Sequence, residues 1–331
     1  MSSEGAERRR GVESWATHRP SRGAAHGVDA AQRERAASEP VSRVRGFLRL
    51  VMIEHSIFAL PFAYVAALAA MRSEGRHVQW ATLLVITVAM VSARTVAMAA
   101  NRIIDRHFDA QNPRTAQREL VTGALSVRSA WVGLAVSLVV FFASVALLGW
   151  LCVVLSPIAL FFLIIYSYAK RFTDFPQVFL GIAQAIAPVG AWIGVTGMWS
   201  WESVVLGLAV GAWIGGFDCI YACQDVEVDR RIGVRSVPVR FGVARALHAS
   251  SVVHVVTVAL YAWFGVLTGF GWLWFTGVGL TAAVLVYEHA IVKPGDLSRV
   301  NRAFFTANGV IGILLFGFAL ADLVLLQGLR P

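Results

Sequence analysis

From about residue 47 onward the chain alternates long apolar runs with short polar connections. Crossing a bilayer takes ~20 residues of helix. The runs at 47–71, 80–101, 129–150, 151–168, 178–198, 204–223, 246–268, 271–292 and 304–326 therefore predict nine transmembrane helices. The third and fourth runs nearly fuse around Gly149 and Trp150, and the fourth carries Pro157, so their boundary rests on few residues. Hydrophobic residues make up 57% of the chain against 15% charged, with a mean hydropathy of +0.65, which excludes a soluble protein and a mostly disordered one. The 3 cysteines lie in apolar stretches, so no disulfide framework supports the fold. The expectation is an all-α, multi-pass membrane protein held together by helix packing.

Residues 1–44 differ from the rest, being rich in Arg, Ala, Gly and Ser with no sustained apolar period. They read as a disordered cytoplasmic tail, followed by a transmembrane domain at 45–331. The first apolar run starts too late for a cleavable secretory signal. A net charge of +9 and a pI near 10.2 are compatible with a nucleic-acid partner, but the basic residues sit in short clusters between apolar runs. They follow the positive-inside rule instead, and no nucleic acid is expected. With the tail inside, all 29 Lys and Arg fall on the inner side except Arg72, Arg76 and Arg330 outside and Arg94 within a span. This predicts a cytoplasmic-membrane protein whose N-terminus and polar loops face the cytoplasm.

Two stretches break the apolar logic, both where an even-numbered span leaves the membrane on the inner side. Asn101, Asp105 and Asp109 are spaced i, i+4, i+8, which aligns their oxygens along one helix face. Asp218, Tyr221, Asp225 and Asp229 repeat helical spacing on a later span. Carboxylates at such depth are costly and mark a cavity, a partner or an ion. An all-oxygen set facing another suits a hard cation, and Mg²⁺ commonly combines one or two carboxylates with waters and substrate phosphates. Each acidic stretch is followed by basic residues, Arg114 and Arg118 in one case and Arg230, Arg231 and Arg235 in the other, which suggests a weak internal duplication around one cavity. Tyr166 and Lys170, at i and i+4 on the fourth span, bring a further cation to the same mouth.

The ordered set Asn101-x3-Asp105-x3-Asp109, Tyr166-x3-Lys170 and Asp225-x3-Asp229, preceded by Asp218 and Tyr221, resembles the UbiA-type intramembrane aromatic prenyltransferases. The neighbouring Asn112-Pro-Arg114, Lys170-Arg-Phe-Thr and Ile232-Gly-Val-Arg-Ser236 agree, and the resemblance runs from about Arg45 to the end. It implies nine helices around a central cavity opening to lipid, a polyprenyl diphosphate donor, Mg²⁺ and an aromatic acid acceptor. By the same resemblance Asn101, Asp105, Asp109, Asp225 and Asp229 hold the metal. Lys170, Arg114, Arg118 and Tyr166 meet the diphosphate, and Asp218 and Tyr221 serve the chemistry at the acceptor. The run Ile53-Glu-His-Ser-Ile-Phe-Ala-Leu-Pro-Phe62 is most similar to bacterial members that prenylate 4-hydroxybenzoate in quinone biosynthesis, some of which resemble the futalosine-route menaquinone enzymes. Dihydroxynaphthoate and haem fit less well as acceptors. The chain departs from many relatives in having Arg102 after Asn101, and Val-Glu-Val between Asp225 and Asp229.

Other features have plainer readings beside the functional ones. Arg94, on the face of Asn101, is placed either to bind an acceptor carboxylate or to pair with an Asp. Lys170 and Arg171 double as positive-inside charge. Glu54 and His55 line a pocket or snorkel, and His107 reads as surface. Cys219 and Cys223, at i and i+4, read as buried thiols, and Gly207, Gly211, Gly215 and Gly216 as close helix packing. The rival function is an ion-coupled secondary transporter, which calls for charges near the bilayer midplane and broken helices.

Overall fold

A computed structural model describes residues 46–47, 50, 59–302 and 308–330. The tail at 1–44, most of the first apolar run before Leu60, and Glu54 and His55 lie outside the described residues. The described chain is helical, with nine apolar helices: α1 Leu60–Ser73, α2 Trp80–Asp109, α3 Val127–Leu148, α4 Trp150–Phe172, α5 Pro176–Thr196, α6 Trp201–Ala222, α7 Val243–Thr268, α8 Trp272–Ile291 and α9 Asn308–Ala321. Eight are long and apolar enough to cross a membrane, α9 with the π-helical turn Asp322–Leu326 that extends it. The remaining one, α1, is short and Ala-rich. Every residue from Pro61 to Met71 except Tyr64 is buried, so α1 is a central helix wrapped by others. The weak boundary resolves at Gly149, whose φ of +129° few residues with a side chain adopt, and which therefore divides α3 from α4.

Two features fix the direction of the bundle. Helices α2, α4, α6 and α8 all begin with tryptophan, and Trp80, Trp150, Trp201 and Trp272 are 67%, 73%, 67% and 66% exposed. Such a belt belongs at one membrane interface. The same helices end in basic residues: Arg106 and His107 on α2, Lys170 and Arg171 on α4, His289 on α8, and Arg230 and Arg231 on the short helix Val226–Ile232 that follows α6. The bundle thus has a tryptophan end and a basic end.

The halves of the bundle do different work. Helix α1 packs with α5–α9 around a cluster that includes Phe62, Trp213, Tyr261, Phe264 and Trp274, whose bulky rings are fully buried. Buried Asp322 closes the cluster by accepting from the backbone N–H groups of Gly271 (2.9 Å) and Trp274 (3.1 Å) at the start of α8, and from Gln327 Nε2 (2.7 Å). The open space lies on the other side, in a cavity of about 830 Å³ whose helical walls come from α2–α6, with only Leu60 of α1 at the edge. No described residue of α7–α9 lines it, so the expected cavity is present and is walled by one side of the bundle. The α5–α6 wall is thin because a Cβ on Gly211 would stand 2.6 Å from the Gly181 carbonyl oxygen, an approach that only glycine allows.

The helical spacing of Asp218, Tyr221, Asp225 and Asp229 is carried by a helical stretch that tightens locally between Tyr221 and Asp229. Helix α6 stops at Ala222, the chain tightens into a 3-10 turn at Cys223–Asp225, and a new helix runs over Val226–Ile232 before Gly233 ends it at φ 77°. With 3.0 residues per turn instead of 3.6, the 3-10 segment rotates the next helix about the common axis. Asp218, Tyr221, Asp225 and Asp229 all still line the cavity.

Candidate active site

The cavity is polar at the basic end and apolar toward the tryptophan end. Ile86, Phe141, Val145, Leu148, Leu155 and Ile193 line its apolar arm. At the polar mouth, the last three turns of α2 present Asn101, Asp105 and Asp109 along one face, as the i, i+4, i+8 spacing requires. Asn101 Nδ2 donates to Asp105 Oδ2 at 2.9 Å and to Ser167 Oγ at 3.2 Å, which ties α2 to α4.

Each of three acidic residues is matched by a cation. Lys170 Nζ stands 2.6 Å from Asp105 Oδ2, and Arg171 contributes at 3.5 Å on Asp105 Oδ1. Arg118 Nη1 is 2.6 Å from Asp109 Oδ1. Arg114 grips Asp225 with two nitrogens, Nη2 to Oδ2 at 2.6 Å and Nε to Oδ1 at 3.1 Å, while its Nη1 donates to the Tyr221 hydroxyl at 2.9 Å. The guanidinium also lies 5.1 Å from the Tyr221 ring centroid. Burial works against the Arg114 charge, but its bond to Asp225 and the charges of Asp225, Tyr221 and Asp229 raise its pKa above the usual arginine value. Charge-assisted pairs of this kind are short, and for the 2 %-exposed Asp105 side chain the partner offsets a desolvation cost that an unpaired carboxylate there would bear in full.

The structure brings the predicted residues together. Asn101, Asp105, Asp109, Arg114, Arg118, Tyr166, Lys170, Asp218, Tyr221, Asp225 and Asp229 all border the one cavity, and so does Arg94. Arg94 lies seven residues before Asn101 on α2, about 10 Å further toward the tryptophan end at 1.5 Å per residue. Its Nε is buried without a hydrogen-bond partner among the described residues, and no Asp or Glu pairs with it there. Of its two readings, pairing with an Asp is thus not what the structure shows. His107 is exposed, and Cys219 and Cys223 are buried thiols that point at helix carbonyls.

Sequence reasoning missed several parts of the mouth. Asn112 donates to Asp225 Oδ1 at 3.2 Å and accepts from the Arg114 backbone N–H at 2.9 Å, so it fixes the loop that aims Arg114. Its signal was its place before Pro113-Arg114, a turn that presents the arginine. Ser167, which accepts from Asn101, showed no pattern of its own, and Arg171, read only as positive-inside charge, also reaches Asp105 at 3.5 Å. On the far rim, Arg235 clasps Asp174 through Nε at 2.9 Å and Nη2 at 3.1 Å, and its backbone N–H donates to the Lys170 carbonyl at 2.9 Å. These bonds hold the Asp174 carboxyl below the usual carboxylate range and fasten the segment after Gly233 to the end of α4.

Among the described residues no three His, Cys, Asp or Glu side chains converge closely enough to hold a metal ion unaided. The donors fit an ion that takes only part of its shell from protein. They are oxygens on two facing segments, and Asp105 Oδ1 is buried with no hydrogen-bond partner. Mg²⁺ binds this way, with one or two carboxylates and the rest from water and phosphate.

The profile of the UbiA prenyltransferase family matches residues 59–310. A 4-hydroxybenzoate octaprenyltransferase from Methylobacillus flagellatus is 34% identical over 241 residues, 72% of this chain and 81% of that one. Its counterpart from Chromohalobacter salexigens is 29% identical over 282 residues, 85% and 94% of the two chains. Among solved structures, the apo form of a UbiA homolog from Aeropyrum pernix superposes with a TM-score of 0.74 at 35% identity, covering 82% of this chain and 98% of that one. A UbiA homolog from Archaeoglobus fulgidus bound to DMAPP and Mg²⁺ shares the fold, with a TM-score of 0.65 at 20% identity and 84% and 99% coverage.

Proposed function

Because this integral membrane protein belongs to the UbiA prenyltransferase family and is a prenyltransferase, we propose that it transfers a polyprenyl group from polyprenyl diphosphate to an aromatic acid of the 4-hydroxybenzoate type. The reading places it in quinone biosynthesis, in the cytoplasmic membrane, with the basic end, the polar mouth and the tail in the cytoplasm. One observation carries it: a cavity with acid–base pairs for a metal-diphosphate at its mouth, an apolar arm for an isoprenoid, and between them Arg94, a cation without an acidic partner among the described residues.

Asn101, Asp105 and Asp109 on one side and Asp225 and Asp229 on the other are the residues that hold Mg²⁺. Held by these residues, a Mg²⁺ ion would supply neutralisation of the charge that develops on the diphosphate. Lys170, Arg114 and Arg118 meet the phosphate oxygens, with Tyr166 beside Lys170 on the cavity wall. The C1–O bond of the donor breaks with its electron pair on the diphosphate, leaving an allylic cation in the apolar arm, where water has no ready access. Arg94 binds the acceptor carboxylate, and Asp218 and Tyr221, which border the same cavity, meet the ring. A ring carbon ortho to the hydroxyl forms the new C–C bond, and the proton leaves that carbon toward Asp218.

The test is prenyl transfer in membranes containing the expressed chain, with labelled polyprenyl diphosphate, Mg²⁺ or EDTA, and a panel of aromatic acids. Product that needs Mg²⁺ and one of the acids is expected. Intact diphosphate with every acid, or equal product with EDTA, overturns the proposal.

A further inference from the structure

The acidic and basic residues of the mouth have separate tasks in the proposed reaction, yet in this structure they are bonded to one another. Asp105, Asp109 and Asp225 each carry a cation at 2.6 Å, supplied by Lys170, Arg118 and Arg114 respectively. The pairs come from different parts of the chain: Lys170 reaches from α4 to α2, and Arg114 from the loop after α2 to the 3-10 turn after α6. A divalent cation arriving alone has to displace an ammonium or guanidinium from each carboxylate. A diphosphate arriving alone has to pull the same cations away, and leaves carboxylates behind without a counter-charge.

We infer that Mg²⁺ and the diphosphate enter this mouth as a pair, by exchange of partners: the carboxylates of Asp105, Asp109 and Asp225 pass to the metal as Lys170, Arg118 and Arg114 pass to phosphate oxygens. The inference rests on the proposed function, since it takes both ligands from that reading. Its content is the coupling between them. Each ligand supplies the counter-charge that the other's arrival removes from Asp105, Asp109 and Asp225 and from their three cations. The acidic residues are not all engaged in this way, because Asp229 borders the cavity and forms no ion pair among the described residues. It offers the metal a carboxylate that needs no exchange.

The exchange is tested by calorimetric titration of the detergent-solubilised full chain with Mg²⁺ alone, inorganic diphosphate alone, and each in the presence of the other. Each ligand is expected to bind weakly alone and to tighten its partner by the same factor, within the roughly 5- to 150-fold range typical of coupled sites. Lys170→Met separates exchange from a simple division of labour. It is expected to strengthen binding of Mg²⁺ alone several-fold, since Asp105 loses the nearer of its two cations and keeps only Arg171 at 3.5 Å, and to weaken binding of diphosphate. Arg118→Gln at Asp109 gives the same opposed pair of shifts at a second position, so one poorly folded variant does not decide the matter. Equal affinity of Mg²⁺ with and without diphosphate, or unchanged binding of Mg²⁺ alone in both variants, overturns the exchange and leaves the proposed function standing. No binding of the combined ligands to the wild-type chain overturns the proposed function, and the exchange with it.

Discussion

Replacing Arg94 by Met is expected to separate acceptor binding from every other property of the protein. The guanidinium lies on the cavity wall with Nε buried and without a hydrogen-bond partner among the described residues, eleven residues before Asp105 on the same helix. At 1.5 Å per residue that is ~16 Å, and at an effective dielectric of ~20 a unit charge there interacts with Asp105 by only about 1 kcal/mol. Asp105 is in any case neutralised by Lys170 at 2.6 Å. The mouth therefore cannot supply the counter-charge for Arg94, and a ligand carboxylate can. A hydrogen bond to a charged group contributes ~1.5–3 kcal/mol, so Arg94→Met should raise KM for the aromatic acid by about 10- to 150-fold. It should leave KM for the prenyl donor unchanged and kcat nearly so. The wild-type chain should prefer the acid over its amide, and the variant should not. Stability should move the other way, because Met places no charge in the cavity wall, and the thermal midpoint of the solubilised protein should rise or hold. Steady-state kinetics with the acid and the amide, alongside a melt, decide the point. Equal loss for both acceptors, or an unchanged KM for the acid, refutes the assignment.

Other outcomes rest on the same geometry. Asp105→Ala and Asp225→Ala should each lower the transfer rate by at least ~100-fold, as removal of a group that stabilises developing charge does, and full activity of both at limiting Mg²⁺ would contradict the metal site. EDTA should stop transfer without lowering the melting temperature, since Asp105, Asp109 and Asp225 keep protein partners when the ion is gone. Asp322→Ala strands the buried N–H groups of Gly271 and Trp274 and should cost about 1–3 kcal/mol in a denaturation midpoint, with Asn recovering part of it. Gly211→Leu forces α5 and α6 apart, because even its Cβ meets the Gly181 carbonyl oxygen at 2.6 Å, and should lower the melting temperature and the yield of folded protein.

Much of this was readable in the residues. The helices could be laid out because apolar runs in a membrane have one solution, with all backbone groups bonded internally. The face shared by Asn101, Asp105 and Asp109 followed from helical periodicity, and that segment is an unbroken helix. Helical spacing also brought Asp218, Tyr221, Asp225 and Asp229 to the cavity, but the 3-10 turn at Cys223–Asp225 was not legible, because no Gly or Pro marks it and the tightening comes at an ordinary helix end. The cavity walls were also hidden, since apolar residues that face lipid, core or cavity look alike in a membrane chain. Only the packing of Phe62, Trp213, Tyr261, Phe264 and Trp274 shows that one side of the bundle is full. Asn112 could not be found from spacing, because its partner Asp225 lies far along the chain.

The tryptophan end and the length of α2 together set where in the bilayer this enzyme meets its lipid. Helix α2 begins at the exposed Trp80 and runs for 30 residues to Asp109, about 45 Å at the usual rise, whereas the hydrocarbon layer is only ~30 Å thick. With Trp80 anchored at one interface, the surplus emerges at the other, and the turns bearing Asn101, Asp105 and Asp109 stand among the lipid headgroups. Under the proposed function, the polyprenyl diphosphate donor diffusing in that leaflet already carries its charged head at this level. It reaches the mouth by sideways movement, without being lifted toward water or drawn into the hydrocarbon, whatever the length of its tail. On that reading, recognition of the head is decoupled from the number of isoprene units, and donors of different length meet the same contacts at the same depth.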